Sequence, residues 1–362
     1  MLPTVTVIIP IRNEERRIGQ CLKSIVEGTY PLANCEILAV DGASKDHSRE
    51  ILLHKIMHIP YAHLLSNPKQ QVSSGLNIAI RQAHGEFVFR MDAHCEYSKD
   101  YFKMCLQELK RTRAANVGGW LETMPGGSSW VSRCIASVSK HPVGVGNGAF
   151  RLGKGGQYVD TVPFGAYRRE IFETVGVYHE DLPRNQDYEL NARIRAAGFH
   201  IYLSAYIQTT YYNSTHIIDF MRQASKNGWF AVRCWLLNPQ SFCWRHAAPM
   251  LLVISTAFLI GISTHNRSAQ LAGIICGFLY IIALLRAGIQ IALYNDWRHA
   301  LLAPPLIGTY HFTYGIATLI SGVFAIWIFL SKRLNDDHKC DLRRCPIRTC
   351  LPKRREIKTQ YV

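Results

Sequence analysis

Two side chains with metal-binding chemistry, Asp92 and His94, stand one residue apart in EFVFRMDAHC, residues 86–95. The apolar run Phe87-Val88-Phe89 reads as a strand that passes through Arg90 and Met91 and ends on them. In an open α/β sheet, ligands bind at the carboxyl edge of the strands. A sharp bend there turns a carboxylate and an imidazole towards one ion. A hard divalent cation accepts the carboxylate oxygen and leaves sites for water and phosphate oxygens; it tolerates a neutral imidazole better as Mn²⁺ than as Mg²⁺. The chemistry expected is a metal-bridged diphosphate, with Asp92 and His94 as ligands and Mg or Mn as the ion. An isolated D-x-H more often marks a turn cap beside a surface histidine, so the neighbouring segments must decide.

Those segments predict converging strand tips. TVTVIIPI, residues 4–11, is a nearly continuous β-branched run bounded by Pro10 and Arg12-Asn13-Glu14, as a buried parallel strand is. Ile18, Cys21, Leu22, Ile25 and Val26 follow at helical spacing. A second strand, residues 36–40, ends at DGASKD, and the strand–helix–strand order forces a crossover and parallel pairing. Val72, Leu76, Ile80 and Ala83 predict a further helix before the strand at 87–91. Three tips therefore meet, at Pro10 to Glu14, at Asp41 and at Asp92 to His94. No G-x-G-x-x-G or P-loop accompanies them, which argues against dinucleotide oxidoreductases and P-loop kinases.

Further along, DLPRNQD, residues 181–187, opens a helix with Pro183 and acidic residues near its positive end; Leu190, Ile194 and Ala197 continue it to Gly198. On pattern alone, Asp187 and Glu189 are helix-start carboxylates facing solvent.

VTVIIPIRNEE, AVDGASKD, GEFVFRMDAH and VPFGAYRREIFETVGVYHEDLPRNQDYELNARIRAAG together resemble the ordered motifs of glycosyltransferase family 2. The DAH form, NQDYELNARIRAAG and the apolar tail are most similar to the ExoA-type succinoglycan-synthesis glucosyltransferases. The resemblance covers residues 1–235 and, more loosely, the tail. It implies an α/β GT-A nucleotide-sugar-binding domain with a mainly parallel sheet, followed by transmembrane helices. It also implies that Pro10, Arg12 and Glu14 border the nucleobase, that Asp41 meets the nucleoside, and that Asp92 meets the metal-bound diphosphate. By the same resemblance, Asp187 is expected in the place of the catalytic base, which removes the acceptor proton during an inverting transfer. The family's metal motif is usually D-x-D; His94 in its third place contributes no charge when neutral.

Residues 125–160 are rich in glycine and small polar side chains and predict a loop or lid. Arg193 and Arg195 suit either phosphate or the nearby acidic residues. A Gln-x-x-Arg-Trp signature is not found after residue 200, Arg222-Gln223 coming nearest, which favours addition of one sugar over polymerisation.

The remaining composition points to a membrane. After Trp229 and Trp235 the chain is amphipathic and aromatic, as in a segment lying along a bilayer. The apolar stretches 247–264, 268–285 and 300–331 each reach or approach the roughly 20 residues that cross a hydrocarbon core. The expected division is a catalytic domain at 1–235, an interfacial segment with about three crossings at 236–331, and a basic tail at 332–362. The net charge of +15 suits phosphorylated ligands and anionic membranes. Without a zinc-finger spacing, an RNA-binding motif or a basic arm, nucleic acid is not an expected partner. The 11 cysteines, an odd number in a chain of this size, read as reduced thiols facing the cytosol, and no cleavable signal peptide is expected. Three crossings would put the tail opposite the catalytic domain, yet its ten Lys and Arg favour the inside.

The expected function is an inverting, multi-pass membrane transferase with its catalytic domain in the cytoplasm. It moves a hexose from a nucleoside diphosphate sugar, UDP-linked by resemblance, to a lipid-linked or nascent polysaccharide acceptor. The rivals are a polyprenyl-phosphate sugar synthase and a degenerate domain acting as a scaffold.

Overall fold

The computed structural model describes residues 4–335 apart from 147, 154, 264 and 265. The basic tail beyond Asn335, with Cys340, Cys345 and Cys350, lies outside the described residues.

The chain begins with β1 (Val5–Ile11), α1 (Ile18–Val26), β2 (Cys35–Asp41), α2 (Ser48–Ile56), β3 (Ala62–Ser66), α3 (Val72–Gln82) and β4 (Phe87–Arg90). β3, β2, β1 and β4 pair in parallel in that order, with Ile11 opposite Asp41 and Ile8 opposite Arg90. The two-residue alternation of a strand sorts β1 onto both faces. Val5, Val7 and Ile9 pack with Ile18, Leu22 and Ile25 of α1, while Ile8 packs with Leu76 and Ala79 of α3.

After β4 the sheet changes character. The chain continues through β5 (Cys95–Tyr97), α4 (Tyr101–Thr112) and β6 (Asn116–Met124) into α5 (Trp130–Val138), α6 (Pro142–Val145) and β7 (Gln157–Tyr158). Then come β8 (Ala166–Arg168), α7 (Glu170–Val175), α8 (Gln186–Ala196) and β9 (Ile201–Tyr212). β8 pairs antiparallel with β4 and β6, β6 pairs in parallel with β9, and β5 and β7 flank β9 antiparallel. The mainly parallel sheet expected from the sequence is realised in β3-β2-β1-β4 and in the β6–β9 pair, within a nine-stranded mixed sheet. Gly119 is required where β6 crosses β9, because a Cβ there would lie 2.1 Å from the carbonyl oxygen of Ile207.

The segment 125–160, expected as a loop or lid, holds two helices. Cys134, Ile135 and Val138 of α5 are buried against apolar residues near the chain's C-terminus, so apolar spacing within a glycine-rich stretch outweighs its average composition.

The last four helices are α9 (Ile217–Leu237), α10 (Trp244–Ser263), α11 (Arg267–Leu293) and α12 (His299–Asn335). α9 straddles residue 235, where the catalytic domain was expected to end. Small residues let these helices approach closely. A Cβ on Gly228 would meet the Tyr314 carbonyl oxygen at 2.3 Å, and one on Gly315 would meet that of Pro249 at 2.2 Å. α10, α11 and α12 are long and apolar enough to cross a membrane, and only 6% of the apolar span of α10 is buried by protein.

Candidate active site

β4 ends on Arg90, whose buried guanidinium bridges the two carboxylates singled out by the sequence. Its Nε and Nη2 donate to the Asp92 oxygens at 3.2 and 3.4 Å, while Nη1 donates to Oδ1 of Asp187. One carboxylate comes from a strand tip and the other from the first turn of α8, 95 residues later in the chain. Asn185 makes that turn possible. It adopts a left-handed φ of 62°, which asparagine tolerates, and its Nδ2 donates to the Asn227 carbonyl of α9 at 3.1 Å.

The surroundings tune these groups. Burial pushes the Asp187 carboxyl above its ordinary range; the Arg90 charge opposes this, and Asp92 reinforces it. For His94, burial disfavours the charged ring, but a hydrogen bond to Glu14 and the charge of Asp92 outweigh it and raise its pKa. Nδ1 of His94 lies 3.3 Å from the Glu14 carboxylate, and its ring meets Tyr211 edge-on at 5.4 Å.

The first two strand tips are laced together. The Asn13 amide donates to Ser44 Oγ, the Glu14 amide to Ser48 Oγ and the Glu15 amide to Asp46, while the Lys45 amide donates to the Asn13 side chain. Asp41 is buried, accepts from the Ser44 amide at 3.1 Å and pairs with Arg49 at 3.4 Å. Arg12 reaches across to Gln70, donating to its side-chain oxygen at 2.8 Å. The expected nucleotide-binding residues therefore form one edge, with Glu14 touching His94.

A cavity of about 790 Å³ opens on the other side of Asp92 and His94, lined also by Arg90 and Asp187. Pro10, Arg12, Glu14 and Asp41 do not line it. Its far wall comes from helices outside the sheet: Gln223 and Asn227 of α9, Arg245, His246, Pro249 and Leu252 of α10, and Tyr310 and Tyr314 of α12. The sequence reading missed these residues as site components, and also Arg151 and Tyr188. Arg245 among aromatic residues was a visible signal, but only the fold reveals that α10 returns to the catalytic edge. Arg193 and Arg195 stay outside the cavity. Arg193 pairs with Glu189 at 2.7 Å and donates to the Val177 carbonyl, and Arg195 donates to that of Gln240.

Among the described residues no group of three or more His, Cys, Asp or Glu side chains forms a cage. The ligands expected from the sequence, Asp92 and His94, lie on the cavity wall, with both Asp92 oxygens accepting from Arg90 and the His94 ring against Glu14.

Comparison with known proteins gives the same frame. Residues 6–176 match the model described as glycosyl transferase family 2. The chain is 28% identical over 232 residues to a dolichyl N-acetyl-alpha-D-glucosaminyl phosphate 3-beta-D-2,3-diacetamido-2,3-dideoxy-beta-D-glucuronosyltransferase of Methanococcus voltae, covering 62% of this chain and 71% of that one. It is also 28% identical over 219 residues to succinoglycan biosynthesis protein ExoA of Rhizobium meliloti, covering 60% and 66%. Among solved structures, mannosyltransferase PcManGT from Pyrobaculum calidifontis, in complex with GDP-Man and Mn²⁺, superposes with a TM-score of 0.58 at 20% identity, covering 88% of each chain. That likeness establishes the fold.

Proposed function

We propose, for a chain that carries a glycosyltransferase family 2 domain and is similar to ExoA, an inverting transfer of one hexose from a nucleoside diphosphate sugar to a lipid-linked or nascent polysaccharide acceptor. The observation that carries this reading is the Arg90 bridge. It holds a strand-tip carboxylate suited to a metal-bound diphosphate beside a carboxylate whose buried setting raises its proton affinity.

Asp187 is the base. The acceptor oxygen attacks the anomeric carbon on the face opposite the diphosphate, and its proton passes to the Asp187 carboxylate. The bond from the anomeric carbon to the diphosphate oxygen breaks, and its electron pair leaves with the diphosphate. Arg90 fixes the orientation of Asp187 and supplies positive charge next to it. A divalent cation held by Asp92 and His94 would supply Lewis-acid stabilisation of the departing diphosphate. The edge built by Pro10, Arg12, Glu14 and Asp41 receives the nucleoside, within a laced loop that needs little reorganisation. The Mn²⁺ and GDP-Man bound to PcManGT support a divalent ion and a nucleotide-sugar donor.

α10 and α11 anchor the domain at the membrane, on the cytoplasmic side where nucleotide sugars are found. Anchoring raises the local concentration of a lipid-borne acceptor. The test is incubation of the purified full chain, in lipid nanodiscs, with a panel of nucleotide sugars, with and without Mn²⁺. Release of nucleoside diphosphate that is lost in Asp92→Asn supports the transferase. Donor binding without any such release across the panel would favour a scaffold.

A further inference from the structure

The cavity beside Asp187 has more positive charge than its carboxylates can neutralise. Arg90, Arg151, Arg184 and Arg245 line it, against Asp92 and Asp187. Arg90 is held by both aspartates, and Arg245 pairs with Asp160 at 2.5 Å. Arg151 and Arg184 have no carboxylate within ion-pairing distance among the described residues. Arg184 lies in the loop that leads into α8, three residues before Asp187.

Arg151 and Arg245 are mounted differently, on aromatic faces. The Arg151 guanidinium lies 5.5 Å from the Phe150 ring centre and 5.6 Å from that of Tyr211, and Arg245 lies 5.3 Å from that of Tyr188. An aromatic face holds a guanidinium in place without cancelling its charge, leaving N–H groups for a planar fork around phosphate oxygens. Beyond them the cavity wall becomes Trp244, Pro249 and Leu252 of α10, a helix whose outward side chains, such as Leu251, Ile254 and Phe258, are exposed and apolar. The order is therefore base, cations, then an apolar wall continuous with a helix fit for a bilayer. A ligand matching that order carries a hydroxyl, then an anion, then a hydrocarbon chain.

We propose that Arg151, assisted by Arg245, binds the phosphate or diphosphate of a membrane lipid that carries the acceptor hydroxyl. This rests on the transferase reading above and names the acceptor class for its site. The cavity volume of about 790 Å³ is within the range of roughly 300–1,000 Å³ usual for small-molecule sites, enough for a head group and the first part of a chain.

The test measures binding of farnesyl phosphate, farnesyl diphosphate, farnesol and inorganic diphosphate to the full chain in nanodiscs, by tryptophan fluorescence without donor. Farnesyl phosphate or diphosphate should bind at least tenfold more tightly than farnesol or inorganic diphosphate, and Arg151→Gln should weaken that binding at least tenfold. The tighter of the two phosphorylated probes tells whether a bare lipid phosphate or a lipid diphosphate is the carrier; either supports the proposal. Arg151→Lys, which keeps the charge but loses the fork, should lose part of the affinity and serves if the glutamine variant does not fold. Equal binding of inorganic diphosphate would make this the donor's site, and farnesyl binding unchanged by both variants would place the lipid elsewhere; either overturns the proposal. Asp92-dependent donor consumption, measured in parallel, separates the two readings. Intact consumption without lipid binding sinks only this one, and lipid binding without consumption on any donor sinks only the transferase.

Discussion

The ring of Tyr188, the residue after Asp187, meets the imidazole of His246 edge-on, with ring centres 4.7 Å apart and planes at 81°. His246 belongs to α10 and is hydrogen-bonded in turn to the Tyr314 hydroxyl of α12 at 2.8 Å. The helix that carries the proposed base is thus fastened to the apolar helices, which take a share in positioning Asp187. His246→Ala removes an aromatic pair worth about 0.5–1.5 kcal/mol and frees the start of α8. Turnover should fall about tenfold while the KM for donor changes less than twofold. Equal changes in both, measured by initial-rate kinetics, would contradict a positioning role.

Asp187→Asn keeps the shape of the side chain and removes its basicity. Transfer should drop by about 10²–10⁴-fold, the usual contribution of a general base. Donor affinity, measured by nucleotide-sugar titration with Mn²⁺, should stay within a few-fold of the parent.

Arg90→Lys retains one positive charge but cannot serve both carboxylates. Because burial already raises the Asp187 pKa and Arg90 opposes that rise, a weaker partner raises it further. The proposed base is active when deprotonated, so the acid limb of the kcat/KM profile should move to higher pH than in the parent. A shift to lower pH would mean that the arginine does not stabilise the charged carboxylate.

The parts of this arrangement that were legible in the sequence are the local ones. Continuous β-branched runs such as residues 5–11 and helical spacings such as Ile18 to Val26 specify their elements through nearest neighbours. The acidic tips at Asp41 and Asp92 were visible because a polar residue ending an apolar run has few structural reasons to be there. What escaped depends on distant partners. β9 carries exposed Ala205, Tyr206 and Gln208 within a buried strand, because it changes neighbours along its length at the irregularity beside Gly119. The Arg90 bridge escaped because its two carboxylates are joined only by folding, and Arg151 because its chemistry comes from the rings of Phe150 and Tyr211.

At the opposite end of the first strands, Glu36 is nearly buried and accepts from Thr6 Oγ1 at 2.6 Å and from the His84 amide at 2.9 Å, with the His84 ring at 2.7 Å. Burial works against its charge, but these hydrogen bonds and the histidine hold its pKa below the ordinary value of 4.5. A carboxyl whose folded pKa is depressed stabilises the protein above its unfolded pKa and loses that contribution as pH falls through the folded value. Glu36→Gln should cost about 1–3 kcal/mol at pH 7, as removal of a buried charged acceptor does. The difference between the parent and Glu36→Gln should shrink as the pH is lowered below 4.5, which thermal unfolding in detergent would show.

The placement of α12 bears on which side the tail occupies. Its first half packs on α5, α9 and the end of α11: Ala303, Leu306 and Ile307 are buried in the cluster containing Cys134, Ile135, Phe220, Ala287 and Ile291, and the His311 ring contacts the Val143 carbonyl at 2.8 Å. Thr318 and Ser321 are also covered, the latter donating to the Trp229 carbonyl of α9 at 2.9 Å. With that half packed against the domain, the remainder from Gly322 to Asn335 is shorter than the about 20 residues a crossing takes, although α12 as a whole is long enough. We therefore predict that, of the three helices long enough to cross, α10 and α11 do so as a hairpin, with α12 held against the domain and the chain returned to the side from which it started. That arrangement agrees with the ten Lys and Arg at residues 332–358, which favour the cytoplasmic face. Green fluorescent protein fused after Val362 should fluoresce, and alkaline phosphatase fused there should remain inactive. The reverse pattern would mean that α12 crosses in full and that its packing on α5 and α9 does not hold it at the domain's side.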